Sequence, residues 1–506
     1  MDAPAISASD VEPATDGVLG PRGLAAFLAL HLLVWTVVAT IAGISGAVHH
    51  DMTEAYDWGR EFQLGYAKHP PVFAWIAGAW FSVLPRIDWA FYMLSALNAA
   101  GGLAGVWALA GRLLPRPQQN AALLLTALTP FFNILAVTFN ANAILLLVWP
   151  WTVYGFVRSI QSLKPGDAVL FGVLAAAAMG AKYSSILLLG ACLVAALLHP
   201  RARAYFASPA PYLAVAACLL ILTPHLVWAL GHRLTTVNYV FEKQALAHKA
   251  ALIIAGASLL GSLALIGLAG AAYWAAAGKR AGGFLRQALD AAWSRQQRWL
   301  TVLALGPALL TVLAGLAINI KVSTNFLIPA FFFIPIAFVA QSGVAIGARQ
   351  LSLLRRFVAG WFAVALIAAP VFAIGAFMRK TEQTSQPRRE LALAATAAWH
   401  EAFNAPLRIA AGTEPYGLAM PFYSPDTPSL YDIAAPSATP WVTPERLNRD
   451  GLLVVCTEAD AACLAAATTI AVAATVHRSI RLTHDFLGRH AKEFGFELIM
   501  TPPAAR

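Results

Sequence analysis

The chain has 506 residues, of which 59% are hydrophobic and only 12% charged, and its mean hydropathy is +0.65. Soluble globular proteins are nearer half apolar with about a quarter charged residues, so a soluble enzyme is excluded. A net charge of +10 would suggest nucleic acid for a soluble chain, whereas in a membrane protein it reflects Lys and Arg held in cytoplasmic loops.

Residues 1–22 lack a basic n-region and a short apolar core with a cleavage site, so the first apolar run, 23–48, reads as an uncleaved anchor after a cytoplasmic tail. Ten further spans are expected near 89–111, 119–138, 142–160, 166–181, 183–199, 209–230, 251–277, 299–319, 324–342 and 357–378. Each approaches the roughly 20 residues a helix needs to cross the hydrocarbon core. The stretch 72–84 is apolar but too short for that and is bounded by Pro70, Pro71 and Pro85, which fits an interfacial or re-entrant helix. Charge supports leaving it out. With the N-terminus inside, cytoplasmic loops receive fifteen Lys and Arg and the opposite loops eight. Counting 72–84 as a span would put the basic loop from Lys279 to Arg298 outside.

The tail, 379–506, carries twelve of the 35 Lys and Arg and no run long enough to span. "LRIAAG", "GLLVVC" and "FELIM" read as short strands, and "RRELALAATAAWHEAFN" as an amphipathic helix with Leu391, Ala394, Ala395, Ala398 and Trp399 on one face. The expected architecture is a polytopic α-helical membrane protein of about eleven transmembrane helices, 23–378, with a small C-terminal α/β domain that the odd span count places outside. Cys192 and Cys218 fall in spans as small apolar filling. Cys456 and Cys463 stand where a disulfide survives, bridged or free.

The scarce charges gather after the first span. "HHDMTEAYDWGREFQLGYAKHPPVFAW" holds Asp51, Glu54, Asp57, Arg60, Glu61, Lys68 and His69. A helical turn puts Asp51 and Glu54 on one face, where they suit a general base, ligands for a divalent cation, or simply a solvated loop. Other polar groups sit at the outer ends of spans: Asn140, Asn142, Lys182, His225, Asn319 and Lys321. Intramembrane ionisable groups are costly and usually functional. A polar layer on one membrane face, within the outer-face loop 49–88 and those span ends, suits a reactant with a charged head and a lipid tail.

The order of these pieces carries a resemblance. One span, an acidic loop with Asp51-x-x-Glu54, "GYAKHPPVFAW", "NAALLLTALTPFFN", "GAKYSSILLL" and "TPHLVWALGH" resemble the polyprenyl-phosphate-sugar-dependent glycosyltransferases of the GT-C superfamily. Within it the chain is similar to the branch of protein O-mannosyltransferases and the lipid A aminoarabinose transferase, over roughly 20–380. The tail resembles the small periplasmic domain of many bacterial members, with "FYSPDTPSLYD" its most individual stretch.

That resemblance implies inverting transfer of a sugar from a polyprenyl-phosphate donor to an acceptor hydroxyl at the periplasmic face of a bacterial inner membrane. Lipid A or another envelope glycan is the favoured acceptor, and protein comes second. By match, Asp51 is the catalytic carboxylate with Glu54 beside it; Lys68, His69 and Lys182 are the candidates to neutralise the donor phosphate. Tyr183, His225, Asn140 and Lys321 are expected to line the substrate site. In some relatives a metal sits near the residues preceding the paired prolines; Lys68 and His69 occupy those places here, so no metal ligands are assigned, although a divalent cation remains compatible with the carboxylates. The rival class is a transporter or flippase of lipid-linked sugars. Ion-coupled carriers place ionisable sites near the bilayer midplane and often show repeated halves; this chain shows no repeat.

Overall fold

A computed structural model describes residues 19–243, 245–278, 283–380, 382–470 and 474–504. Most of the expected N-terminal tail, and Lys279 and Arg280 of the basic loop, lie outside the described residues. The membrane domain opens with α1 (Pro21–Gly43), followed by α2 (His50–Glu61) and α3 (Val72–Phe81). Then come α4 (Asp88–Ala110), α5 (Arg116–Leu128), α6 (Leu145–Ser162), α7 (Pro165–Ala181) and α8 (Ser185–Leu198). Longer apolar helices follow at Ala210–Gly231, His248–Ala277, Arg298–Ala317 and Ala348–Met378.

Among the described residues, six helices are long and apolar enough to cross a bilayer, and two bent pairs bring the number to eight. The other three expected spans are α6, α7 and α8; the last two are only 17 and 14 residues long. The expected single span at 119–138 is broken. Pro130, which cannot donate a backbone hydrogen bond, follows α5, and the chain turns by 74° into Pro130–Ala136. Asn133 repairs the break: its Nδ2 donates to the carbonyls of Thr129 (2.8 Å) and Ala127 (3.1 Å).

The short helix between prolines is present as α3, ten residues long, packed against α2 rather than spanning. Gly59 and Gly78 allow the two backbones to touch. A Cβ on Gly59 would stand 2.2 Å from the Ala74 carbonyl oxygen, and one on Gly78 2.4 Å from that of Gly59.

The tail folds as expected into an α/β domain. Its five-stranded sheet has the order β2 (Ser429–Leu430), β1 (Ile409–Gly412), β3 (Leu452–Thr457), β7 (Phe494–Thr501) and β4 (Val476–Leu482). β5 (Asp485–Phe486) and β6 (Arg489–His490) form a separate hairpin. β3 is apolar on both sides because helices cover both faces of the sheet. Leu453 and Val455 pack with Leu391, Ala395 and Trp399 of helix Arg388–Phe403, and Leu452, Val454 and Cys456 pack on the other face with Cys463 and Ala467. Cys456 and Cys463 are joined by a disulfide. Cys192 and Cys218 are free, the first buried.

The domain sits on the same face as α2 and α3. The Val48 amide donates to the Tyr423 hydroxyl (2.9 Å), Arg86 donates to the Phe422 carbonyl (2.6 Å), and Arg389 pairs with Asp88 (2.5 Å). Arg112 and Arg158 bond instead to Gln161 and Asp167 at the far ends of the helices.

Because both neighbours of the crossing are backbone, Gly59→Ala is expected to destabilise the protein by about 1–3 kcal/mol, the usual cost of overpacking. Gly256→Ala, which would meet nothing within 4 Å, is the matched control. Thermal unfolding in detergent checks both; equal melting temperatures would remove the crossing as a packing constraint.

Candidate functional site

His49 starts the site. Its ring Nδ1 accepts the Asp51 amide (3.1 Å) and caps α2, so Asp51 stands in the first turn, where helix N-termini favour negative charge. Asn140, in the turn before α6, fixes the carboxylate. Its Oδ1 accepts the amides of Asn142 and Ala143, both at 2.9 Å, which turns its Nδ2 toward Asp51 Oδ2, also at 2.9 Å. The Asp51 side chain is 36% exposed, and its other oxygen, Oδ1, lies 3.3 Å from His50 Nε2.

Two residues along, Asn142 accepts a hydrogen bond from the Lys182 ammonium. Lys182 ends α7 and lies over the Phe326 ring, 4.3 Å from its centroid, with 9% exposure. Two asparagines two residues apart thus hold the candidate base and a buried cation, an arrangement that sets opposite charges side by side without direct contact.

Glu54 is placed differently from the expectation of a second reactive carboxylate. It is 7% exposed, and Lys68 Nζ lies 2.6 Å from its Oε1. Burial opposes the Lys68 charge, but the Glu54 carboxylate more than offsets this and holds the ammonium above the usual lysine range. Burial pushes the Glu54 carboxyl up to about 7 against the pull of Lys68, while Lys68 itself stays charged and keeps two further N–H donors. His69 contributes no charge. Burial first, then the Lys182 and Lys68 cations, keep it well below the usual histidine range. Its ring packs against Phe73 and Trp58, so a neutral His69 is limited to a hydrogen bond.

Tyr183 and His225 come together, though on one another. The Tyr183 hydroxyl bonds His225 Nε2 and the opposite nitrogen, Nδ1, bonds the Leu64 carbonyl, each at 2.7 Å. Both ring nitrogens are spent on holding the loop between α2 and α3 to the C-terminal half of Ala210–Gly231. Thr236 adds a bond to the Tyr66 carbonyl at 2.8 Å. Lys321 is exposed and makes no hydrogen bond or ion pair to this cluster among the described residues.

The sequence reading did not use His49 and His50. With Asp51 they form a group whose ligand atoms lie within 4.8 Å of one another, although His49 Nδ1 already serves the Asp51 amide. It also missed Glu414, which the C-terminal domain brings near enough to act on Glu54 and Lys68. The acidic count near paired histidines was a legible signal for the first; nothing local marks the second.

Residues 68–228, from Lys68 to Trp228, match the family described as dolichyl-phosphate-mannose-protein mannosyltransferase. The lipopolysaccharide core galacturonosyltransferase RgtB of Rhizobium johnstonii is 29% identical over 225 residues, 44% of this chain and 45% of that protein. The matched part is thus under half of that relative's length. Two structures of ArnT from Cupriavidus metallidurans share the fold at 15% identity, covering 94% of this chain. The form bound to undecaprenyl phosphate gives a TM-score of 0.61 over 98% of that chain, and the apo form 0.58 over 97%. Fold and site define a multi-pass membrane protein with its polar layer and small domain on one face. Residues 68–228 carry the match to that mannosyltransferase family, within a fold shared with ArnT.

Removing one partner of a buried ion pair costs about 3–5 kcal/mol. Water reaches the Lys68 end, whose side chain is 29% exposed, so Glu54→Gln is expected to cost somewhat less, about 2–4 kcal/mol. Adding Lys68→Met should return part of that loss. Denaturation of the two single variants and the double variant forms the cycle, and simple additivity would dissolve the coupling.

Proposed function

We propose that the protein transfers a sugar from a polyprenyl-phosphate donor to a hydroxyl of lipid A or the lipopolysaccharide core, at the periplasmic face of a bacterial inner membrane. The observation that carries this reading is the partly exposed Asp51 carboxylate, held on one oxygen by Asn140 and faced by His50 on the other, beside the cations Lys182 and Lys68. Support for the donor comes from the fold shared with a protein solved with undecaprenyl phosphate. The name of the relative, a lipopolysaccharide core galacturonosyltransferase, supports the acceptor class. Protein hydroxyls are the second reading, favoured by the description of the matching family.

In this mechanism the acceptor hydroxyl approaches the anomeric carbon opposite the lipid phosphate. The new C–O bond forms as the bond from that carbon to the phosphate oxygen breaks, which inverts the centre. Asp51 takes the hydroxyl proton and releases it to water. The departing phosphate gains charge as the bond breaks, and Lys182, with the free N–H donors of Lys68, stabilises that charge where it develops. Glu54 keeps Lys68 in place, and no step needs a metal.

General-base assistance contributes about a hundred- to ten-thousand-fold, roughly 3–5 kcal/mol at 1.36 kcal/mol per tenfold. Asp51→Asn preserves shape and the bond to Asn140 but removes the basicity, so it should lose that much transfer while remaining folded. Sugar transfer from a polyprenyl-phosphate donor, in membranes matched for protein level, measures it. A rate within a few-fold of the parent would rule Asp51 out as base. Movement of the lipid-linked sugar across the membrane without transfer would favour the flippase class instead.

A further inference from the structure

The C-terminal domain meets the membrane domain at a sheet edge. β2 is the outer strand. The amides of Ser429 and Tyr431 bond to the Arg408 and Ala410 carbonyls, on the β1 side. Strand alternation leaves the Leu430 amide pointing away from the sheet, where an edge strand ordinarily presents unpaired groups. Asp57 of α2 caps it, with Oδ1 accepting the Leu430 N–H at 3.1 Å. One turn on, Glu61 accepts the Ser429 hydroxyl (2.5 Å), which in turn accepts from Arg446 (2.6 Å). Arg60 donates to the Thr427 carbonyl at 2.7 Å. The C-terminal half of α2 thus covers the sheet edge, while its first two turns carry Asp51 and Glu54.

Resting on the glycosyltransferase reading above, we propose that Asp57 is a positioning residue for transfer, fastening the helix that bears Asp51 to the edge strand of the C-terminal domain. Geometry makes Asp57 more than a convenient acceptor. The residue is fully buried, and its Oδ2 is buried with no hydrogen-bond partner. The nearby cation, Arg60, is turned to backbone carbonyls, and Arg446 reaches Glu61 and Ser429 rather than Asp57. Tyr66, from the following loop, gives its hydroxyl proton to the Trp58 carbonyl. A proton on Oδ2 is therefore the arrangement that spares an unpaired buried charge. Burial chiefly, then Glu61 and to a smaller degree Glu54, push the carboxyl up to about 8, against the opposing pull of the Leu430 amide and Arg60.

The sign of the pH effect follows. A carboxyl raised from 3.8 to about 8 contributes docking stability that is complete below its ordinary value and is lost as pH rises through the folded one. Asparagine in its place cannot ionise, and it keeps the acceptor for Leu430.

Three variants of the full chain in nanodiscs test the link: Asp57→Asn, the similarly sized Asp57→Leu, and Leu430→Pro, which removes the capped N–H from a strand edge that tolerates proline. Misplacing catalytic groups by about 1 Å costs about a hundred-fold. Asp57→Leu and Leu430→Pro are expected to lose about that much kcat with little change in donor KM. Asp57→Asn should restore most of it and flatten the fall in activity and melting temperature between the two pKa values. Hydrogen exchange across residues 50–61 should quicken in the first two variants and not in Asp57→Asn. Parental kcat in Asp57→Leu, or equal loss in Asp57→Asn and Asp57→Leu, would overturn the assignment. Absence of transfer by the parent itself would count against the glycosyltransferase reading, and exchange alone would then decide: unchanged protection of 50–61 in Asp57→Leu ends the proposal.

Discussion

Asn140 is the pivot of the site, because its side chain has one arrangement that satisfies both ends. Its carbonyl oxygen is taken by two amides of the turn before α6, which leaves its amide hydrogens for Asp51. A carboxylate at the edge of a hydrocarbon layer is costly unless paired. Holding it with a neutral donor keeps the charge available, where an arginine or lysine would quench it. The breaks in the spans serve the same end. α5 turns at Pro130, α7 stops at Lys182, and the loops so produced bring Asn140, Asn142 and Lys182 to a common depth beside α2.

Lysines at this layer divide into two kinds. Lys68 is tied to a buried carboxylate and shares a loop with the neutral His69, so its position is set before any ligand arrives. Among the described residues, Lys182 has the Asn142 carbonyl oxygen and an aromatic face against it, with Asp51 near but not in contact. A neutral acceptor offsets little of the cost of burying an ammonium. An arriving phosphate would offset much more of it, so in the proposed mechanism Lys182, rather than the already paired Lys68, gains most from a lipid phosphate.

Much of this was legible in the sequence, where local rules decide. Hydrophobic run lengths located the apolar helices, proline boundaries marked α3 as non-spanning, and alternation and helical periodicity outlined the C-terminal domain. The spacing of Cys456 and Cys463 left their pairing open, and the fold closes it. What resisted reading is long-range. Glu54 looked like a partner for Asp51 because three residues separate them, yet its real partner is fourteen residues away, across the turn after α2. Tyr183 and His225 looked like ligand groups because polar side chains near lipid are rare; they satisfy each other and a loop carbonyl. The break at Pro130 was visible as a residue and not as an angle, since a proline alone does not say whether a span kinks or ends.

The docking of the C-terminal domain was the least readable feature, and it explains why α2 is so acidic. Asp51, Glu54, Asp57 and Glu61 lie three or four residues apart, a spacing that stacks like charges along a helix and is destabilising in isolation. Each is answered by something outside the helix: Asn140, Lys68, the Leu430 amide, and Ser429 with Arg446. Two of these four answers come from the membrane domain side and two from the C-terminal domain. The helix is therefore held in place by both domains together.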